Sequence, residues 1–232
     1  MATVAVLFWP EKPQVSDSKY RIAGLYGIVD TGILGPEKLL DATSAALDGG
    51  VRVIQYRDKG TDRGRRWRQA RALAMMCRNR GACFIVNDDI TLAVAVVADG
   101  VHIGMQDASI AEAREQLGPS AIIGVSCYNS LDKARNAAVA GADYVAFGSF
   151  FPSSVKPDAV CAEPDLLTQA RASLSRPIVA IGGITAANGA TLVAAGADAL
   201  AVISSLFTTA DSYRAAIELS RLFSNSQYRN PQ

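Results

Sequence analysis

The sequence predicts a single α/β domain of the (βα)8 type, a TIM barrel with a short N-terminal extension. Three observations lead there: eight short β-branched apolar runs, Ala- and Leu-rich stretches of helical spacing between them, and a glycine-marked approach that recurs before several runs. The length agrees, because one closed barrel of this kind takes roughly 200–250 residues and the chain has 232.

The runs fall at 25–29, 51–54, 84–86, 100–103, 122–125, 144–147, 178–181 and 200–203. Apart from Arg52 and His102 they are apolar rather than alternating, as expected of parallel strands covered on both faces. Between them, sets such as Leu39, Ala42, Ala46 and Ala134, Ala137, Ala138 supply helical stripes. The stretches Leu47-Asp48-Gly49-Gly50-Val51, Ala140-Gly141-Ala142-Asp143-Tyr144 and Ala195-Gly196-Ala197-Asp198-Ala199 share one design. In each, glycine is expected to take the left-handed conformation that ends a helix, so that the chain turns straight into the next strand. An open doubly wound sheet would carry a G-x-G-x-x-G turn after its first strand, and Asp30-Thr31-Gly32-Ile33-Leu34-Gly35 does not supply it. The expected division is an extension at 1–20, the barrel at 21–223 and a flexible tail at 224–232. Within the extension, the apolar run 4–9 is expected to form an extra strand or a flap at the barrel's edge.

Charge and cysteine content narrow the function. With 23 Lys+Arg against 22 Asp+Glu and 50% hydrophobic residues, the chain lacks the basic excess of a nucleic-acid binder and the composition of a disordered one. Run 4–9 is stopped by Pro10, too short for a signal-peptide core or for the ~20 apolar residues of a membrane span. Cys77, Cys83, Cys127 and Cys161 have no C-x-x-C spacing, and the one histidine, His102, does not complete a zinc set with them. A cytoplasmic protein with free thiols is expected.

Barrels of this type place their chemistry at the carboxyl ends of the strands. After the second run comes Gln55-Tyr56-Arg57-Asp58-Lys59. Alternation sends Gln55, Arg57 and Lys59 to one side, where an amide and two cations suit a phosphate or diphosphate. The alternative is a basic loop running into a solvated helix face of Arg63, Arg65, Arg66, Arg68 and Arg71. Asn87-Asp88-Asp89 follows the third run and Asp107 the fourth. Asp89 reads as a helix cap; Asp88 and Asp107 read as a pair for Mg²⁺, a cation held by one or two carboxylates together with substrate phosphate oxygens. Lys156 lies in the proline-marked loop 150–163 and could fold over an anion. Ile181-Gly182-Gly183-Ile184-Thr185 and Ile203-Ser204-Ser205 place glycines and small polar residues where helices start, a backbone cup for phosphate; Thr185 is the expected cap of its helix. His102, inside a buried run, reads as a hydrogen-bonded core residue. Two anion pockets result, one cationic and metal-assisted, the other a milder backbone cup.

These motifs, with His102-Ile103-Gly104, Gly124-Val125-Ser126 and Pro152, resemble the thiamine phosphate synthase family over about 24–207. The resemblance implies a Mg²⁺-dependent transferase that joins a hydroxymethylpyrimidine diphosphate to a thiazole phosphate by a dissociative route, releasing diphosphate. It implies that Gln55, Tyr56, Arg57, Asp58, Lys59, Asn87, Ser126 and Lys156 hold the pyrimidine diphosphate, and that Arg57, Lys59, Ser126 and Lys156 act in catalysis. Asp88 and Asp107 would carry the metal. Ser153, Ser154, Val155, Gly183, Ile203 and Ser204 would line the thiazole phosphate pocket. The sequence departs from the family pattern at Met105, where Gln is common, at Tyr128, where His is common, and at Val155, where a Thr often helps bind phosphate. Related thiazole tautomerases use a histidine at the place of Tyr128, which makes their reaction the second reading; a non-catalytic regulator that binds thiamine precursors is the third. The expected partners are the two small substrates, with no nucleic acid or membrane, and assembly as a homo-oligomer stays open.

Overall fold

The computed structural model describes residues 22–104, 108–152 and 161–224. Strands and helices alternate: β1 (Gly24–Asp30), α1 (Leu39–Asp48), β2 (Val53–Arg57), α2 (Arg63–Asn79), β3 (Cys83–Asn87), α3 (Ile90–Ala95), β4 (Gly100–Ile103) and α4 (Ile110–Leu117). There follow β5 (Ile122–Tyr128), α5 (Leu131–Val139), β6 (Tyr144–Phe147), α6 (Asp165–Ser173), β7 (Ile178–Ile181), α7 (Gly189–Ala194), β8 (Ala199–Val202), α8 (Ser204–Phe207) and α9 (Ser212–Ser220). Neighbouring strands pair in parallel in chain order, and β8 returns to β1, closing an eight-stranded barrel. Each predicted run falls on a strand, although β2 starts two residues later than the run at 51–54 and β8 ends one residue before Ile203. The expected extra strand at 4–9, most of the loop around Lys156, Asp107 and the tail beyond Ser224 lie outside the described residues.

Two apolar clusters explain why the runs are apolar on both sides. Leu25, Val29, Ile54, Phe84, Val101, Ile123, Val145 and Leu200 pack outward with the helices. Tyr26, Ile28, Val53, Ile85, Ile122, Tyr144, Val179 and Ala199 fill the barrel interior. Successive side chains in a strand face opposite ways, so residue parity alone assigns each to helix layer or barrel axis.

The glycines before the strands take the expected conformation, with φ 109° at Gly50, 97° at Gly141 and 113° at Gly196. The aspartates beside them do more. Asp143 donates its N–H to Ile123 O at 2.8 Å, and its Oδ2 accepts from Ile123 N–H at 2.8 Å and from Arg114 Nη2 at 2.7 Å. Asp198 repeats this with Ile178 and pairs with Arg171; Asp99 does the same with Phe84. The device thus clamps the seams β3/β4, β5/β6 and β7/β8 at their amino ends, opposite the end where such barrels work. Replacing Asp143 with Ala strands a strand N–H and takes the counter-ion from Arg114, whose guanidinium keeps carbonyl partners at Pro119, Ala121 and Gly141. The expected loss is about 2 kcal/mol, read by urea unfolding, with ligand affinity at the far end unchanged.

Candidate active site

The carboxyl ends of the strands open into a cavity of about 920 Å³. Its wall follows from parity. Gln55 and Arg57 of β2, Asn87 of β3 and Ser126 of β5 line it, as do Gly183, Ile203 and Ser204 after β7 and β8. The amide, cation and small polar groups picked out in the sequence therefore converge on one space.

The cations are already matched to carboxylates. Arg57 pairs with Asp30, its lateral neighbour in the β1/β2 register; Asp30 is 5% exposed and also accepts from Gly32 N–H at 2.9 Å. One arm of the fork is thereby fixed, and the guanidinium keeps other N–H donors for a ligand. Lys59 lies beyond the end of β2 and pairs with Asp88 across the rim rather than lining the cavity. Asn87 Nδ2 donates to the same oxygen of Asp88, Oδ2, at 2.6 Å, leaving Oδ1 without a hydrogen-bond partner among the described residues. Asp88 has φ 61°, a left-handed conformation that Asp adopts more readily than most residues. Asp89 caps α3 by accepting from Leu92 N–H at 2.8 Å, as expected, and pairs with Arg66.

Tyr56 and Asp58 do not join this group. Tyr56 belongs to the outer cluster and donates to Asp58 Oδ2 at 3.1 Å, within 2.9 Å of Gln69 Oε1 of α2. Asp58 accepts from Gly60 N–H at 2.7 Å and pairs with Arg65 at 3.0 Å. Burial works to raise the Asp58 pKa, but the Gly60 N–H and the Thr31, Arg65 and Tyr56 side chains together hold it below the usual value. Both residues fasten the β2 loop to α2, since their parity is opposite to that of Gln55 and Arg57. For the same reason Arg65 and Arg66 are not free members of a solvated face: each bonds a loop carboxylate.

The loops after β7 and β8 are tightly packed. Gly182 has φ 106° and Gly183 φ 60°; a Cβ on Gly183 would stand 2.4 Å from Pro152 O. Thr185 is not the cap of α7. Its N–H donates to Asn188 Oδ1 at 2.8 Å, while Asn188 Nδ2 donates to Gly183 O at 3.0 Å, so Asn188 braces the turn and α7 starts at Gly189. Ser204 opens α8 directly after β8.

Sequence reasoning missed the cavity floor. Tyr26, His102 and Tyr144 line it and are joined by hydrogen bonds to each other and to Gln55 and Ser126. Tyrosines inside apolar runs carry no signal of this, whereas His102 is the buried hydrogen-bonded residue expected. Tyr128, Asn129 and Lys133 add a rim on the β5 side, where the Lys133 ammonium lies 5.1 Å from the Tyr128 ring centroid. Cys127, beside Ser126, faces outward with its thiol pushed up to about 12 by burial, as is that of Cys77. Cys161 is the exposed thiol. Alkylation of the native protein at pH 8 is therefore expected to label Cys161 and to reach Cys77, Cys83 and Cys127 only after unfolding, as mass mapping would show.

Fold and cavity define a class, a (βα)8-barrel enzyme with its polar and charged side chains gathered at the carboxyl mouth. A family model described as thiamine monophosphate synthase matches residues 25–206, more than half of the chain, and the chain belongs to that family. It is 58% identical over 187 residues to a thiamine-phosphate synthase of Thiobacillus denitrificans, covering 81% of this chain and 89% of that one. A thiamine-phosphate synthase of Acidithiobacillus ferrooxidans is 53% identical over 207 residues, covering 88% and 95%. Among solved structures, a thiamine phosphate pyrophosphorylase from Pyrococcus furiosus superposes with a TM-score of 0.79 at 35% identity, covering 87% of this chain and 96% of that one. No helix among the described residues is long and apolar enough to cross a membrane.

Proposed function

We propose that the chain is a thiamine phosphate synthase, which joins the methylene carbon of a 4-amino-2-methylpyrimidine diphosphate to the ring nitrogen of a thiazole phosphate. The observation that carries this reading is the convergence of Gln55, Arg57, Asn87, Ser126, Gly183 and Ser204 on one cavity in a chain of this family. The C–O bond to the diphosphate breaks first and its electron pair leaves with the diphosphate oxygen. The electron-rich aminopyrimidine carries the resulting cation until the thiazole nitrogen lone pair forms the C–N bond. The products are thiamine phosphate and diphosphate, and the route needs no histidine base.

Gln55, Asn87 and Ser126 hold the pyrimidine diphosphate, with Arg57, Lys59 and Lys156 meeting the negative charge that grows on the leaving oxygens. Donors fixed before the reaction stabilise such charge without reorganising, and Asp30 fixes Arg57 in this way. Gly183, Ile203 and Ser204, with Ser153, Ser154 and Val155, hold the thiazole phosphate, glycine permitting the backbone a close approach. For Mg²⁺, Asp88 offers a hard carboxylate oxygen at the cationic rim, and Asp107 is the second carboxylate. A cation of this kind needs no more than one or two carboxylates, the rest of its shell coming from substrate oxygens and water. When bound, Mg²⁺ supplies Lewis-acid stabilisation of the leaving diphosphate.

Chelation tests the reading. Turnover of the two substrates is expected to vanish in excess EDTA and return with added Mg²⁺. Turnover indifferent to EDTA would remove the metal and the roles of Asp88 and Asp107.

A further inference from the structure

The cavity floor contains five polar side chains in an unbroken line. Gln55 Nε2 donates to Tyr26 Oη at 2.9 Å. Tyr26 Oη lies 2.9 Å from Tyr144 Oη, Tyr144 Oη 2.9 Å from His102 Nδ1, and His102 Nε2 2.8 Å from Ser126 Oγ. The line crosses the barrel from β2 to β5, using β1, β6 and β4 on the way. It exists because of one missing side chain. His102, Gly124 and Tyr144 are lateral neighbours in the sheet, and a Cβ on Gly124 would stand 1.9 Å from Tyr144 Cζ and 2.4 Å from its oxygen. The phenol therefore fills the space over Gly124, and its hydroxyl reaches across β5 to His102.

Hydrogen-bond chemistry gives the line a direction. Tyr26 Oη accepts the Gln55 Nε2–H, and the direction that leaves no buried phenol proton unused turns the Tyr26 O–H to Tyr144. In this direction Tyr144 donates to Nδ1 and His102 carries its proton on Nε2, which donates to Ser126. At the two ends, Gln55 keeps its carbonyl oxygen as an acceptor and Ser126 keeps its hydroxyl proton as a donor for whatever lies in the cavity. Burial pushes the pKa of both phenols well above the usual tyrosine value, which holds them in the protonated, donating form.

We propose that Tyr26, Tyr144 and His102 are positioning residues which, acting through this directed chain, present Gln55 as an acceptor and Ser126 as a donor to the substrate's aminopyrimidine ring. The inference rests on the function proposed above for its substrate, and on the hydrogen-bond geometry alone for the chain itself. The floor offers a neutral, ordered set of donors and acceptors to a neutral heteroaromatic ring, while Arg57 and Lys59 keep their charge at the mouth for the anionic group. Tyr144→Phe breaks the line at its centre without touching either end.

His102 is the single histidine, so ring ¹⁵N chemical shifts of untagged, histidine-labelled protein report its tautomer without ambiguity. The expected result is an Nε2–H tautomer in the native protein that is lost or mixed in Tyr144→Phe. With it, kcat/KM for the pyrimidine diphosphate should fall on the order of tenfold, the cost of a misdirected hydrogen bond, while KM for the thiazole phosphate stays within about twofold. Should Tyr144→Phe not fold, Tyr26→Phe tests the other half of the line: it takes the acceptor from Gln55 Nε2 and is expected to lower kcat/KM for the pyrimidine diphosphate alone, with the Nε2–H tautomer kept by Tyr144; an unchanged kcat/KM would overturn the proposal. An Nδ1–H tautomer or an imidazolium in the native protein overturns the proposal. So does a Tyr144→Phe variant whose tautomer is unchanged or whose two KM values rise together, as in general loosening of the fold. A native protein with the Tyr144-dependent Nε2–H tautomer that makes no thiamine phosphate upholds the chain and removes the proposed function.

Discussion

Asp88→Asn is expected to lower kcat by roughly a thousandfold, the scale set by losing a preorganised charge and the proposed metal ligand together, while the fold stays intact. Asn is the informative replacement because Asp88 has φ 61°, a conformation that Asn tolerates and Ala resists. The cost to stability is small. Its partner Lys59 has a side chain 60% exposed, and pairs of that kind contribute about 0–1 kcal/mol. Steady-state kinetics and a thermal melt on the same sample test both parts. Activity within tenfold of the parent would mean that the carboxylate serves only to orient Lys59.

Arg57→Ala is the second large effect, and it should appear in two measurements at once. Losing the guanidinium proposed to meet the leaving diphosphate is expected to reduce kcat/KM for the pyrimidine substrate roughly a hundredfold or more. The same change leaves Asp30, 5% exposed, as a buried carboxylate without its cation. Breaking one side of such a pair costs about 3 kcal/mol, expected as a lower urea midpoint. Adding Asp30→Asn should recover most of the stability and none of the activity. If the double variant regains turnover, Arg57 does no more than neutralise Asp30. Arg57→Lys keeps the charge and loses the fork, so it should fall between parent and Ala.

The barrel was legible because its strands are buried on both faces. Runs such as 122–125 and 178–181 have no polar alternation to confuse them, and the glycines at 50, 141 and 196 mark where each strand must begin. The inward set was legible in part for a related reason. Parity separates Gln55 and Arg57 from Tyr56 and Asp58, and that elementary rule is the one the structure follows at β2; assigning all five residues from Gln55 to Lys59 to one ligand ignores it. What the sequence could not reveal depends on lateral register. Asp30 meets Arg57 across the β1/β2 seam, and Tyr144 meets His102 across Gly124. Neither pairing has a signature along the chain, since a tyrosine in an apolar run reads as core. Thr185 misled for a local reason: Asn188, three residues on, takes the Thr185 N–H and delays the helix.

The most direct test of the account supplies purified protein with the pyrimidine diphosphate, the thiazole phosphate and Mg²⁺, and measures thiamine phosphate and released diphosphate together by mass. The account predicts the two products in equal amounts, and none when either substrate is omitted. Neither product from a folded protein, or diphosphate release that ignores the thiazole, would contradict it.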